Sequence, residues 1–195
     1  MHLLIGVCNF SLVVVMGELR IFDNEALPAF FAPSLVEARG GISIYNNPAL
    51  GEINVQNLAR VRGGFLIGSN GALAVMRIDA LAEVGHSLTI KNNGMLSVIR
   101  ASGLTRVGRD VKIYGNKMLM QLEADNLARV GNSLRIYSNL MLPDFNGLPS
   151  LACVGNRGSE KLGRFSDDLK ARVGKAFDAW NTPVCFYQLN AVVVY

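Results

Sequence analysis

The chain has 195 residues, half of them hydrophobic, and a formal net charge of +4 at neutral pH. This length and hydrophobic content are ample for one elongated domain. The positive charge is spread along the chain without a run of lysine and arginine, so the sequence argues against nucleic-acid binding. Three cysteines are too few, and odd in number, for a disulfide framework. We expect either one bridge between Cys153 and Cys185 or free buried thiols.

The chain begins with an apolar run over residues 3–16. No lysine or arginine precedes the run, as a secretory signal normally requires, and it is too short and interrupted to span a bilayer. Projecting the repeat described next back by one period predicts apolar side chains at Leu4, Val7, Leu12 and Val15. We therefore interpret the run as the remainder of an earlier turn, with a degenerate signal or anchor as the alternative. Because no polar cap precedes it, the coil either begins uncapped or continues a longer array.

One frame recurs along most of the chain at a constant spacing. It closes each time on an asparagine, and successive asparagines differ by 23 in number; they are Asn24, Asn47, Asn70, Asn93, Asn116 and Asn139. An alternating pair of apolar residues precedes each asparagine, for example Ile42 and Ile44, and a leucine follows at the third position after it. A fixed period of this length is typical of a solenoid, in which each turn buries its apolar face only by stacking on its neighbours.

The alternating pair predicts a short strand with two side chains pointing inward and one outward. Stacked turns then form continuous parallel sheets, so the predicted fold is all-β, a solenoid of about six turns. The asparagine lies where the chain leaves the strand, and a stacked row of asparagines can bond along the stack and to the backbone. We predict a structural role for this row, with a ligand-binding row as the alternative.

The regular array ends at residue 155, and its last turn is one residue longer than the others. Leu148, Leu151 and Val154 each lie one place beyond the projected register. We therefore divide the chain into a repeat solenoid over residues 1–155 and a C-terminal part over residues 156–195. In the C-terminal part, a loop precedes a predicted amphipathic helix that caps the stack, with partner or membrane docking as the alternative, and an apolar tail follows over residues 184–195. Its apolar face consists of Phe165, Leu169, Val173, Phe177 and Trp180.

The motifs resemble the receptor L-domain, the ligand-binding module of insulin- and epidermal-growth-factor-type receptors, and the related repeats of fungal and microbial surface proteins. They read GELRIFDNEAL, GISIYNNPAL, GFLIGSNGAL, HSLTIKNNGML, RDVKIYGNKML and NSLRIYSNLML. The resemblance covers about residues 4–155 and implies a right-handed parallel β-helix, related to leucine-rich repeats, at the cell surface. It also implies that the sheet face contacts ligand.

The outward positions of the predicted strands are the candidate binding face. They carry aromatic residues flanked by cations, and tyrosine and arginine dominate binding hot spots. The alternative is that aromatic residues stacked along a β-ladder only stabilise it. The candidates are Arg20, Phe22, Tyr45, Lys91, Lys112, Tyr114, Arg135 and Tyr137.

No constellation of catalytic residues stands out. His86 is a corner residue, and Asp79 and Asp125 lie two turns apart with Ser102 between them. Two turns correspond to about 10 Å, which is wide for a carboxylate pair in a glycosidase. No metal-ligand spacing or phosphate loop is present, so we expect no cofactor and no enzymatic activity. The sequence predicts recognition of a protein or glycan at the cell surface, without a transmembrane segment; the alternatives are a structural scaffold and a cytoplasmic location.

Overall fold

The computed structural model describes residues 12–142 and 148–155, which form a parallel β-solenoid. Numbered in chain order, its strands belong to three sheets, and all of the pairs are parallel. The six-stranded sheet contains β2 (Leu19–Phe22), β5 (Ile42–Tyr45), β8 (Phe65–Gly68), β11 (Leu88–Lys91), β14 (Val111–Tyr114) and β17 (Leu134–Tyr137). The five-stranded sheet contains β3 (Ala29–Phe31), β6 (Glu52–Asn54), β9 (Val75–Arg77), β12 (Val98–Arg100) and β15 (Gln121–Glu123). The seven-stranded sheet contains β1 (Val14–Val15), β4 (Glu37–Ala38), β7 (Arg60–Val61), β10 (Glu83–Val84), β13 (Arg106–Val107), β16 (Arg129–Val130) and β18 (Cys153–Val154).

The strand register confirms the predicted period. In the six-stranded sheet Ile90 pairs with both Ile67 and Ile113, one turn away on either side. We number the turns 1 to 6 by the strands of this sheet, from β2 to β17. The described residues contain no helix, and therefore none that is long and apolar enough to cross a membrane.

The core is a column of apolar, mainly aliphatic side chains at the centre of the coil. Each regular turn contributes two residues from the six-stranded sheet, for example Ile42 and Ile44, and both are at most 1% exposed. The leucine after the asparagine, such as Leu50, is also buried, as predicted. One inward row was not predicted: the residue after each strand of the five-stranded sheet, namely Ala32, Val55, Ile78, Ala101 and Ala124.

The ends of the described array follow the predicted register. Val15 pairs with Ala38 one turn later, so the apolar run near the N-terminus does supply an earlier strand. Val130 pairs with Val154, one place further along the chain than the regular period would give. This pairing confirms the longer last turn. Leu4 and Val7, the predicted capping helix and the remainder of residues 156–195 lie outside the described residues.

A left-handed residue turns the chain sharply before each asparagine of the repeat. Asp23, Asn46, Ser69, Asn92 and Ser138 have φ between 54° and 57°, and Gly115 has φ 69°. Short polar residues tolerate this conformation better than others, and glycine adopts it freely. A Cβ on Gly115 would also meet the side-chain oxygen of Asn92, so a larger residue there would have to displace that exposed amide. The corner geometry therefore determines which residues can precede the asparagine.

Candidate functional site

The candidate binding residues lie on the outward surface of the six-stranded sheet, in two neighbouring rows. The first row contains Arg20, Ser43, Leu66, Thr89, Lys112 and Arg135, which pair from turn to turn. The second row contains Phe22, Tyr45, Gly68, Lys91, Tyr114 and Tyr137, one at the end of each strand. All eight candidates therefore share one flat face.

The aromatic residues of the second row form two separate stacks. The rings of Phe22 and Tyr45 lie 5.2 Å apart between centroids at an interplanar angle of 7°. Those of Tyr114 and Tyr137 lie 4.8 Å apart at 4°. Phe22 is 43% exposed, and the three tyrosines are partly buried. The ring spacing matches the distance between turns, so the parallel ladder itself imposes the stacking.

Gly68 and Lys91 separate the two aromatic stacks. A Cβ built on Gly68 would lie 3.1 Å from the Cγ of Lys91 and 3.3 Å from its Cε. The aliphatic part of the lysine thus covers the glycine, and Gly68 is buried. Long cationic side chains commonly cover apolar surface in this way while their charge stays in water.

The cations of the face differ in whether they are paired. Arg20 forms an ion pair with Glu18 at 2.6 Å, and Lys112 lies 3.3 Å from Asp110. The hydrogen bond from Arg20 also lowers the pKa of Glu18. Lys91 and Arg135 have no ion-pair partner among the described residues. They are therefore the two candidate cations whose charge is not offset within the described part of the chain.

Asp110 is the centre of a polar cluster that the sequence did not indicate. Its Oδ1 accepts hydrogen bonds from Asn132 Nδ2 and Ser133 Oγ, both at 2.6 Å. Its Oδ2 accepts one from Ser87 Oγ at 3.4 Å. Burial raises the pKa of Asp110, but the hydrogen bonds from Ser133, Asn132 and Lys112, together with the lysine charge, outweigh burial and lower it overall. The cluster ties turns 4, 5 and 6 together at the corner before their strands.

The asparagines form a continuous ladder inside the coil. From Asn47 onward, each Oδ1 accepts two hydrogen bonds from the asparagine one turn earlier; Asn93 Oδ1, for example, accepts from Asn70 N at 3.1 Å and Asn70 Nδ2 at 3.4 Å. From Asn47 to Asn139, each Nδ2 also donates to a carbonyl oxygen of the preceding turn. Asn47, Asn70, Asn93 and Asn116 are completely buried. Their amide groups are thus satisfied within the chain, which favours the structural role over ligand binding.

The corner after each asparagine carries an exposed apolar row that was not predicted. In turns 4 to 6 this row consists of Met95, Met118 and Met141, which are 58%, 43% and 53% exposed. Their regular spacing is visible in the sequence, and a search of the outward corner positions, in addition to the inward residues and the strands, would have found them.

Two of the residues considered for catalysis are joined by a hydrogen bond from a backbone amide. Ser102 N donates to Asp79 Oδ1 at 3.4 Å, so this carboxylate bonds to the neighbouring corner. His86 is exposed at a corner of the coil. No group of three or more potential metal ligands occurs among the residues that the structure describes. A surface depression of about 340 Å³ lies on the five-stranded sheet, where Glu52, Asn54 and Arg77 are among its lining residues, away from the candidate face.

Comparison with known proteins gives no match. No protein-family model, no curated protein and no solved structure matches this chain. The repeat solenoid is therefore established by the register of its own strands, and the resemblance to the receptor L-domain remains a prediction.

We expect that replacing one interior asparagine destabilises the whole coil. Asn93→Ala leaves the backbone N–H of Asn70 and the carbonyl of Ile67 without their partners in a buried corner, which should cost about 2–4 kcal/mol. Urea unfolding followed by circular dichroism measures this loss. The matched control is Asn24→Ala, which should cost less because Asn24 is only partly buried at the end of the ladder. Equal losses in the two variants would contradict the importance of the buried ladder.

The Asp110 cluster predicts a dependence of stability on pH. Because the pKa of the folded carboxyl lies below its ordinary value of 3.8, the ionised group stabilises the fold fully above that value. This contribution should decline as the pH falls below 3.8 and disappear below the folded pKa. Asp110→Asn should therefore be less stable than the wild type at pH 7, and the difference should shrink in acid. Urea unfolding between pH 2 and 7 tests this, with exposed Asp125→Asn as the control; an unchanged difference at low pH would contradict the assignment.

Proposed function

We propose that this chain is a non-enzymatic recognition module that binds a protein or a glycan through the outward face of its six-stranded sheet. In this proposal it belongs to a cell-surface or receptor-like protein, and its coil is a right-handed β-helix of the receptor L-domain type. The motif resemblance supports the family assignment.

The observation that carries the proposal is the pair of aromatic stacks on one flat face. Tyrosine supplies a large contact area together with a polar hydroxyl, and tyrosine and arginine are enriched among binding hot spots. The outward side chains of Lys91 and Arg135 add charge without an ion-pair partner among the described residues. A continuous parallel sheet of this kind presents such residues at a fixed spacing, as the binding faces of other solenoids do.

The proposed location outside the cell is supported by Cys153. This residue is disulfide-bonded, and the other half of the bond lies outside the described residues. Disulfides form and persist in oxidising environments such as the cell exterior. The alternative location is the cytoplasm.

The alternative function is a structural solenoid without a dedicated ligand. The ring contacts favour it, because Phe22 packs on Tyr45 and Tyr114 packs on Tyr137 within the chain. Such pairs contribute about 0.5–1.5 kcal/mol beyond their buried area. In that case the aromatic row serves stability alone.

The two functions predict different results for a triple variant of Tyr45→Ser, Tyr114→Ser and Tyr137→Ser. Labelled wild-type chain is applied to an array of glycans and an array of extracellular proteins, and the variant is compared on every ligand that binds. Under the recognition hypothesis the variant stays folded and its affinity falls by at least about tenfold, because a hot-spot residue contributes about 2 kcal/mol or more.

The matched control carries Phe31→Ser, Val75→Ser and Val98→Ser, three partly buried outward residues of the five-stranded sheet. This control should bind as the wild type does. Wild-type affinity in the tyrosine variant would refute binding through the face. Unfolding of the tyrosine variant alone, without any ligand for the wild type, would favour the structural alternative.

A further inference from the structure

One corner of the coil exposes an unusual amount of apolar surface. We call it the methionine ridge; it lies between the six-stranded and five-stranded sheets in turns 4 to 6. Its members are Met95, Met118, Met120, Leu140 and Met141, with exposed fractions of 58%, 43%, 49%, 74% and 53%. Met95, Met118 and Met141 stand in line over two turn spacings, or about 10 Å. Contiguous exposed apolar side chains of this kind commonly mark an interaction site.

The fold itself does not require these methionines. The same corner position in turns 1 to 3 is occupied by Ala26, Ala49 and Ala72, all of them exposed. The coil therefore forms equally well with a small side chain there. The corner therefore carries small alanine side chains in turns 1 to 3 and large apolar side chains in turns 4 to 6.

On the side of the six-stranded sheet, the charged residues of the strands and corners next to the ridge are all cationic. The strands β11, β14 and β17 and the corners that follow them, over residues 88–97, 111–120 and 134–142, contain no carboxylate. Their charged residues are Lys91, Lys112, Lys117 and Arg135. Lys112 is offset by Asp110 at 3.3 Å, whereas the other three have no ion-pair partner among the described residues. In turn 1, by contrast, the corner carries Asp23 and Glu25.

Apolar side chains beside unpaired cations favour a particular partner. Flexible methionines adapt to the shape of apolar residues on a protein partner, and methionine is enriched at protein interfaces. Cations beside an apolar contact surface attract a negatively charged partner and increase its association rate. A glycan would find few hydrogen-bonding groups on the ridge itself, because its five members are aliphatic or thioether side chains.

We propose that the methionine ridge is the docking site of an acidic amphipathic protein segment, whose apolar residues contact the ridge and whose carboxylates face Lys91, Lys117 and Arg135. This inference rests on the proposed recognition function and narrows its ligand from a protein or glycan to a protein. The ridge adjoins the ends of β14 and β17, which carry Tyr114 and Tyr137. It therefore continues the outward face of the six-stranded sheet around the corner in turns 5 and 6.

Methionine methyl resonances test the site directly. The full chain is labelled with ¹³C at the methionine methyl groups and titrated with a synthetic amphipathic peptide of leucine and glutamate. The methyl signals of Met95, Met118, Met120 and Met141 should shift, whereas two internal controls should not. These controls are Met16, which is 67% exposed in turn 1, and Met76, which is buried in the core. A peptide with lysine in place of glutamate should bind at least tenfold more weakly.

A triple variant of Met95→Ala, Met118→Ala and Met141→Ala should lose at least tenfold in affinity for the acidic peptide while keeping the wild-type unfolding transition. Folding is expected to survive because alanine occupies this position in turns 1 to 3. If the triple alanine variant binds normally but the variant with serine at Tyr45, Tyr114 and Tyr137 does not, the ridge inference fails and the proposed sheet face stands. If neither variant loses binding, both fail.

Other occupants of the ridge give distinct results, each of which overturns the inference. Equal shifts at Met16 indicate non-specific adsorption. Ridge signals that change on dilution without peptide indicate a second copy of the chain. Larger shifts with phosphatidylglycerol vesicles than with the peptide indicate a lipid surface, and no shift with the acidic peptide indicates that the ridge does not accept such a segment.

Discussion

The structure depends on a buried row of asparagines that repeats once per turn. Inside a coil of aliphatic side chains, an unpaired amide would cost about 1–3 kcal/mol. Each buried asparagine avoids this cost by accepting two hydrogen bonds from the asparagine one turn earlier, as Asn116 does from Asn93. The bonds form only if successive turns are in the same register. The ladder therefore favours turns of constant length.

Because of this constraint, the residue type is restricted at some positions of each turn and can vary at others. Inward residues such as Ile44 and Leu50 must be apolar because they fill the buried column at the centre of the coil. The left-handed corner residue must be short and polar or glycine. The outward positions are not constrained by packing, and these carry the aromatic stacks, the unpaired cations and the methionine ridge. The outward surface can thus vary more freely than the core.

The sequence predicted the parts of the structure that repeat, since a periodic residue type reports directly on a periodic position. The strands of the six-stranded sheet, the inward leucines and the longer last turn were all confirmed. The row from Ala32 to Ala124 was missed because its residue type varies from turn to turn among alanine, valine and isoleucine. The hydrogen bonds to Asp110 could not be foreseen from the sequence. They join residues 22 or 23 positions apart, and this combination of residues does not recur from turn to turn. The binding function of the outward face stays a prediction.

The most direct test of the ladder is to remove one turn and measure whether the coil still folds. Deletion of residues 67–89 joins Leu66 to Ile90 and restores the inward and outward alternation with one turn fewer. Deletion of residues 67–88 joins Leu66 to Thr89 and turns Ile90 outward, because a shift of one residue reverses the side-chain direction. We predict a cooperative urea unfolding transition for the first deletion, which removes a whole turn, and its loss for the second, which removes one residue fewer. Equal stability of the two deletion variants would contradict a coil held in register by its asparagine ladder.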